Sequence, residues 1–382
     1  MSSPHFDYDI VIAGSGPAGV STWLHLHKLD SALAARTLVL EKARHPRPKL
    51  CGGGVMRAAD MVLSRLRVKI DVPSVPIHSA EFRYHGKRFY WRQKNFFRVV
   101  RRHEFDAALA SAARQRGMAL HEQEAVRGFA RVGGGVEVET SRGTYRARAL
   151  VGADGALSAV RAHMHIEEKP RVSRLISILT PLTPAVLTPP ALTSAGQRAQ
   201  PEPADNTAVF EMDGLDAGLQ GYVWDFPCRE DNVAALDRGI FDSRIYPGRP
   251  RADLKTLFRS ALQARGAFDP GQVWEGHPER WFHPQAVYAQ PHVRLAGDAA
   301  GVDAFAGEGI SFALQYGEVA AAELVAAFSH SDFGFAGYHD RVMAHDLGKG
   351  LAQRYWLAKL IYPGWPQFLL ALFFQVMSYL WR

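Results

Sequence analysis

The run Asp9-Ile10-Val11-Ile12-Ala13-Gly14-Ser15-Gly16-Pro17-Ala18-Gly19 decides how this chain folds. Its apolar residues 10–13 read as a short buried strand of a parallel sheet. The strand breaks at Gly14, and a helical pattern begins at Pro17. The order is therefore strand, G-x-G-x-x-G, helix, the context in which that motif cradles a dinucleotide. Gly14 permits the tight turn, Gly16 lets a pyrophosphate approach the backbone, and Gly19 lets the helix pack on the strand. The free N–H groups of the helix start, around Pro17 and Ala18, face the phosphates. A second apolar strand, residues 37–40, ends in Glu41 with Lys42 beside it, and Glu41 lies 22 residues beyond Gly19. A carboxylate there is placed to accept hydrogen bonds from a ribose.

The chain has 382 residues, enough for one large or two medium domains. With 47% hydrophobic and 22% charged residues, its composition is that of an ordinary globular protein. Two cysteines, Cys51 and Cys228, exclude a disulfide framework and a cysteine-rich zinc site. No apolar segment precedes the first strand, so a secretory signal is not expected and the expected location is cytoplasmic, with the inner membrane face as one setting. The net charge of +7 is accompanied by no nucleic-acid motif, so no nucleic-acid partner is expected. Eight basic residues and no acidic one lie between Arg83 and Arg102. They read as a solvated strand face, or as an attraction for anionic lipid, a phosphate or a reduced nicotinamide. His25 and His27 read as surface or cap residues, and no metal site is expected.

Further along, Pro46-Arg47-Pro48-Lys49-Leu50-Cys51-Gly52-Gly53-Gly54 reads as a loop bringing backbone close to something flat or charged. Residues 81–91 alternate around His85-Gly86 as a hairpin. The stretch 99–106 is expected to open a helix running to about 115, followed by strands at 119–121, 135–140 and 144–147. Ala149-Leu150-Val151-Gly152-Ala153-Asp154-Gly155 and Val293-Arg294-Leu295-Ala296-Gly297-Asp298 are two further strands, each ending in a glycine and a carboxylate. Residues 181–206, rich in proline, read as an exposed excursion, with strands near 207–212 and 220–226. A long apolar helix is expected from about 309 to 327.

Taken together, Gly14–Gly19, Gly152–Gly155 and Gly297-Asp298 resemble the three fingerprints of the para-hydroxybenzoate-hydroxylase-type FAD oxidoreductases. The chain is most similar to their geranylgeranyl-reductase branch. Lys49-Leu50-Cys51-Gly52-Gly53 resembles its K-x-C-G-G loop, Arg102-His103-Glu104-Phe105-Asp106 its R-x-x-F-D, and Tyr222-Val223-Trp224-Asp225-Phe226-Pro227 its Y-x-W-x-F-P. Ala304-Phe305-Ala306-Gly307-Glu308-Gly309-Ile310 resembles P-x-T-G-E-G-I, the loop along the flavin edge. The resemblance implies FAD, bound without a covalent link and reduced by NAD(P)H or a reduced ferredoxin-like donor. It implies that Cys51, Gly52 and Gly53 lie beside the flavin and that Arg102 contacts FAD. Asp154 braces the fold near it, Asp298 holds a ribityl hydroxyl, and Gly297, Gly307, Gly309 and Ile310 line the edge. Ala304 and Ala306 replace the usual proline and threonine, which predicts a less rigid and less polar loop. Tyr222-Val223-Trp224 also resembles the halogenases' W-x-W, with Tyr222 in place of the first tryptophan.

The resemblance implies an α/β flavoprotein. A Rossmann-like, three-layer ββα FAD domain is expected from 1–75, 100–165 and 285–330, and an antiparallel-sheet substrate domain from 76–99 and 166–284. A helical tail is expected at 331–382. Reduction of carbon–carbon double bonds in a polyprenyl chain is the implied activity. Such a reduction needs a hydride and a proton, the latter from Tyr222, Cys51 or water; Cys51 and Trp224 also read as pocket wall. Hydroxylation of an aromatic or protein-bound tryptophan is the alternative, and a flavin-binding maturation partner at a membrane surface the non-enzymatic one. Residues 360–381 carry no charge, but Pro363 and Pro366 interrupt them. The clean helical part, 367–381, reaches about 22 Å against a hydrocarbon core of roughly 30 Å. It is expected to lie in a membrane interface, making 355–382 a peripheral membrane contact, or to pack on the protein.

Overall fold

The computed structural model describes residues 5–168, 171–182, 206–364, 369–370, 372–373 and 375–376. Strand Tyr8–Ala13 lies inside the first sheet, parallel to Thr37–Glu41 on one side and to Thr144–Gly152 on the other. Ala119–Glu122 and Val293–Leu295 extend this parallel order outward. Residues 10–13 are wholly buried, as a strand covered on both faces requires. Helix Pro17–Leu29 supplies the crossover and packs on the long helix Ile310–His330. The helices meet closely: a Cβ on Gly317 would lie 2.4 Å from Ser21 Oγ, and Ser21 Oγ donates to Leu314 O at 2.6 Å.

That packing corrects the reading of His25. Every residue of 17–26 is buried, and His25 Nδ1 bonds Ser21 O at 2.9 Å. His27, one turn from the helix end, is half-buried and stacks on Trp23. Residues 144–152 form one continuous strand, whose outer part pairs with Gly135–Thr140; that strand in turn pairs with Val126–Val132. Val126–Val132 is mostly uncovered, so its sequence carried little apolar signal.

The second sheet runs Glu275–Arg280, Val172–Pro181, Val233–Asp242, Gly221–Glu230, Thr207–Glu211, Ser74–Tyr84, Lys87–Val100, Gly54–Met56. It is antiparallel except where Thr207–Glu211 pairs in parallel with Ser74–Tyr84. Gly54–Met56, inside the first stretch read as cofactor domain, pairs with Lys87–Val100 and so belongs to this sheet. Three residues entered through glycines are too few to announce a strand.

The basic run is not one solvated face. Arg83 pairs with Glu81 at 2.7 Å, Arg98 with Asp60 at 2.9 Å, and Arg101 with Asp237 at 3.0 Å. Lys87, Arg88, Arg92 and Lys94 are the exposed members. The proline-rich excursion lies outside the described residues except for its two ends, and helix 367–381 lies largely outside them. Among the described residues no helix is long and apolar enough to cross a membrane.

Candidate flavin site

The three glycine turns, far apart in sequence, touch one another. Gly14 has φ +99°, and a Cβ there would lie 2.4 Å from Ala153 O. A Cβ on Gly19 would lie 1.9 Å from Gly14 O, so strand and helix need that glycine to close. Gly297, at φ +61°, would set its Cβ 2.7 Å from the Ala18 methyl. Gly16 differs. Its φ is −73°, and the nearest atom to a Cβ there is Arg47 Nη2, the tip of a side chain, at 3.6 Å. Packing explains Gly14 and Gly19, whereas no protein contact requires a glycine at Gly16 among the described residues. Pro17 follows at the first helical position, where a missing N–H costs nothing.

Glu41 ends its strand beside this loop, 4% exposed. Its carboxylate accepts Ser15 N at 3.2 Å, Ser15 Oγ at 2.9 Å and Ala43 N at 3.1 Å, with Arg47 Nε at 3.2 Å. Burial alone would raise its pKa; Arg47 and these donors reverse that and hold it low. Lys42 is exposed. Arg47 continues to Asp106 at 3.4 Å, and Asp106 takes both arms of Arg102 at 2.9 Å. Arg102, 8% exposed, also reaches Cys51, so the ion chain links the dinucleotide loop to the cysteine loop. Ser15 and Arg47 were not singled out from the sequence. The R-x-x-F-D pattern marked Arg102, whereas Arg47 sits in a loop that carries no periodic signal.

Cys51 is half-buried, and its Sγ accepts Gly53 N at 3.4 Å. Gly53, at φ +73°, would place a Cβ 2.0 Å from Val100 O; one on Gly52 would lie 3.2 Å from Phe226 and Trp224. The loop therefore lies flat on the second sheet. There Tyr222, Trp224 and Phe226 alternate along one strand face, and Phe210 packs against Tyr222 and Phe226 with ring centroids 5.2 and 5.1 Å away. Trp224 Nε1 donates to Asp237 Oδ1 at 3.0 Å, which fixes the indole as part of the wall.

Asp154 accepts Val160 N at 3.2 Å at the start of helix Ala159–His163, and its buried Oδ1 has no partner among the described residues. Burial pushes its pKa up. Asp298 sits in the turn Gly297–Ala299, 3.8 Å from Lys49 Nζ. Lys49 Nζ also donates to His277 Nε2 at 2.5 Å. Burial and this ammonium push His277 down to about 4, so its imidazole is neutral at pH 7.

The segment 303–309 corrects the expectation of a less polar, looser loop. Ser243 Oγ donates to Ala304 O at 2.5 Å, Tyr362 Oη to Phe305 O at 2.5 Å, and Tyr222 Oη to Ala306 O at 2.6 Å. Arg354 holds Asp303 at 3.1 Å and Glu308 at 3.4 Å. Hydroxyls from three other elements thus anchor successive carbonyls where proline and threonine are missing. Gly307 takes φ +66°, Gly309 precedes helix Ile310–His330, and Ile310 is buried. Beneath Gly307 and Gly309 lies Glu279, a buried carboxyl that no motif in the sequence flagged.

Residues 7–194 match the family model described as an FAD binding domain. An uncharacterized protein of Methanosarcina barkeri is 25% identical over 98% of this chain and 87% of its own length. The phenazine 1,6-dicarboxylic acid hydroxylase of Lysobacter antibioticus is 33% identical over 41% of this chain and 42% of its own. Among solved structures, a geranylgeranyl bacteriochlorophyll reductase-like protein of Thermoplasma acidophilum superposes with a TM-score of 0.77 at 20% identity, covering 97% of this chain and 91% of that one. The matched domain, with the fold that carries it, makes the chain an FAD-dependent oxidoreductase. Within that class, its fold is that of the geranylgeranyl-reductase-like proteins. The open cradle at Gly16, and the buried Asp154 Oδ1 and Glu279 Oε2 that have no partner among the described residues, fit the bound FAD that this class requires.

Proposed function

We propose that this protein reduces carbon–carbon double bonds in a bulky apolar substrate of the polyprenyl type, with NAD(P)H or a reduced ferredoxin-like protein as electron donor. The observation that carries this reading is the aromatic wall of Tyr222, Trp224, Phe226 and Phe210 facing the Cys51–Gly53 loop. FAD, when bound, supplies the hydride. The chain's own residues bind, orient and exclude water. Gly14, Gly16, Pro17, Ala18, Gly19, Glu41 and Lys42 take the dinucleotide end. Gly52, Gly53, Arg102, Asp298, Gly297, Gly307, Gly309 and Ile310 take the flavin and ribityl end, and Asp154 braces the turn between them. Cys51 and Trp224 shape the apolar face. Tyr222 spends its hydroxyl proton on the Ala306 carbonyl, and its buried phenol is pushed well above its ordinary pKa, so it serves to fix the loop. The substrate's route from a lipid surface runs past Trp356 and Leu360, 63% and 48% exposed one helical turn apart, as part of a peripheral contact through 355–382.

Oxygenation of an aromatic substrate is the second reading. It is favoured by the similarity to the phenazine hydroxylase and by a cavity of about 420 Å³ with mixed lining, including Met56, Phe96, Phe312, Glu308 and Arg354. One experiment separates the two. The purified holoprotein is reduced without oxygen and mixed with a prenyl lipid. Flavin reoxidation by the lipid alone supports the reductase. Reoxidation by oxygen only, with hydroxylation of an added phenazine carboxylic acid, overturns it in favour of the oxygenase.

A further inference from the structure

Strand Glu275–Arg280 carries Glu279 under the loop expected to run along the flavin edge. The strand is fixed there, since Ser173 Oγ donates to the Glu279 carbonyl at 2.9 Å. The side chain points at both glycines of the loop: a Cβ on Gly307 would lie 3.0 Å from Oε2, and one on Gly309 would lie 3.2 Å from Oε1. Glu279 is 8% exposed, and its Oε2 is buried with no hydrogen-bond partner among the described residues. An ionised carboxylate in that position would carry a desolvated charge, with no donor to Oε2 among the described residues.

The surrounding groups do not neutralise it. Asp298 comes from the turn, Asp303 from the loop, Lys49 and Cys51 from the cysteine loop, and Tyr222 from the facing strand. His277 shares its strand and is neutral at pH 7. The ammonium of Lys49, which acts to lower the Glu279 pKa, is engaged by His277 at 2.5 Å and by Asp298 at 3.8 Å. Burial and the neighbouring carboxylates push the Glu279 carboxyl well above the ordinary range.

We propose that Glu279 is a positioning residue for the flavin: as a neutral acid beneath Gly307 and Gly309 it leaves the start of helix Ile310–His330 free to stabilise the charge of the reduced cofactor. This rests on the placement of FAD proposed above. A helix N-terminus carries a partial positive charge and favours a nearby anion, and a carboxylate beside it opposes that effect. The balance is explicit. Reduction takes two electrons from the donor and one proton onto the flavin. Above the pH at which Glu279 ionises in the oxidised protein, a second proton must also bind its carboxylate, giving the carboxylic acid. The reduction equilibrium then falls an extra tenfold per pH unit, about 30 mV for a two-electron couple.

The test is a dithionite titration of the holoprotein against redox dyes from pH 6 to 9.5, for the wild type and Glu279→Gln. The wild type is expected to show an added tenfold-per-unit steepening that Glu279→Gln lacks; breaks from the flavin's own protons remain in both. No added break in the wild type, or the same break in Glu279→Gln, overturns the proposal. Should Glu279→Gln fail to hold flavin, infrared spectra of the wild-type holoprotein decide. A protonated-carboxyl band at pH 7 that titrates away with the break supports the proposal, and its absence overturns it. Wild-type protein purified without flavin, and taking up none, would instead sink the FAD placement itself.

Discussion

Replacing Gly16 with alanine separates ligand space from packing space. Its φ of −73° suits any L-residue, and the nearest atom to the new methyl is a mobile guanidinium tip at 3.6 Å. Removing glycine stiffens the unfolded chain, worth about 0.4–1 kcal/mol, and alanine is a poorer helix cap than glycine by a similar amount. Folding stability without cofactor should therefore stay within about 1 kcal/mol of wild type. Gly19→Ala is the contrast. Its methyl would sit 1.9 Å from Gly14 O, and ordinary contact begins at 3.4 Å, so backbone must move by 3.4 − 1.9 = 1.5 Å. That places it at or beyond the upper end of the roughly 1–3 kcal/mol typical of overpacking. Cofactor sensitivity should differ too. With free FAD at one hundred times its dissociation constant, the wild type gains about 2.7 kcal/mol. At about 2 °C per kcal/mol for a chain of this size, that is a rise on the order of 5 °C. The assay is flavin absorbance of the purified protein, with thermal unfolding with and without FAD. Gly16→Ala should unfold near the wild-type apoprotein and show neither flavin nor the rise. Full flavin content in Gly16→Ala would refute the reasoning.

Tyr222→Phe leaves the Ala306 carbonyl without its donor, at a cost of roughly 1–3 kcal/mol by urea unfolding. Turnover should fall less than about tenfold; a loss in the range of roughly 10²–10⁴ would make Tyr222 the proton donor instead. His277 gives the protein an acid limb. Between pH 6.5 and about 4 the unfolded chain holds a proton on this residue that the folded chain refuses. Its contribution is complete above pH 6.5 and is lost as pH falls toward 4, about 1–2 kcal/mol after discounting for solvent screening. His277→Gln should flatten the fall in unfolding free energy between pH 7 and 4.5; an unchanged fall would place the effect elsewhere.

The linear order of residues carried the parallel centre of the first sheet. A strand buried on both faces must be apolar without a break, and a parallel connection must cross by a helix, so 10–13, Gly14–Gly19 and 37–41 are legible from their neighbours alone. Long-range contact decided the rest. His25 has an unremarkable helical spacing, yet helix Ile310–His330 covers it. Arg98 and Arg101 belong to a cationic run in sequence, but their carboxylate partners, Asp60 and Asp237, arrive from other elements. Ala304 and Ala306 looked like losses of rigidity, because the hydroxyls of Ser243, Tyr222 and Tyr362 that hold the loop lie far along the chain. Glu279 follows no motif; its setting comes from glycines 28 and 30 residues away, whose missing side chains leave room for a carboxyl. Periodicity and spacing report what neighbouring residues impose on one another. Burial and partnership, which set the charge of an acid, exist only once the chain has closed on itself.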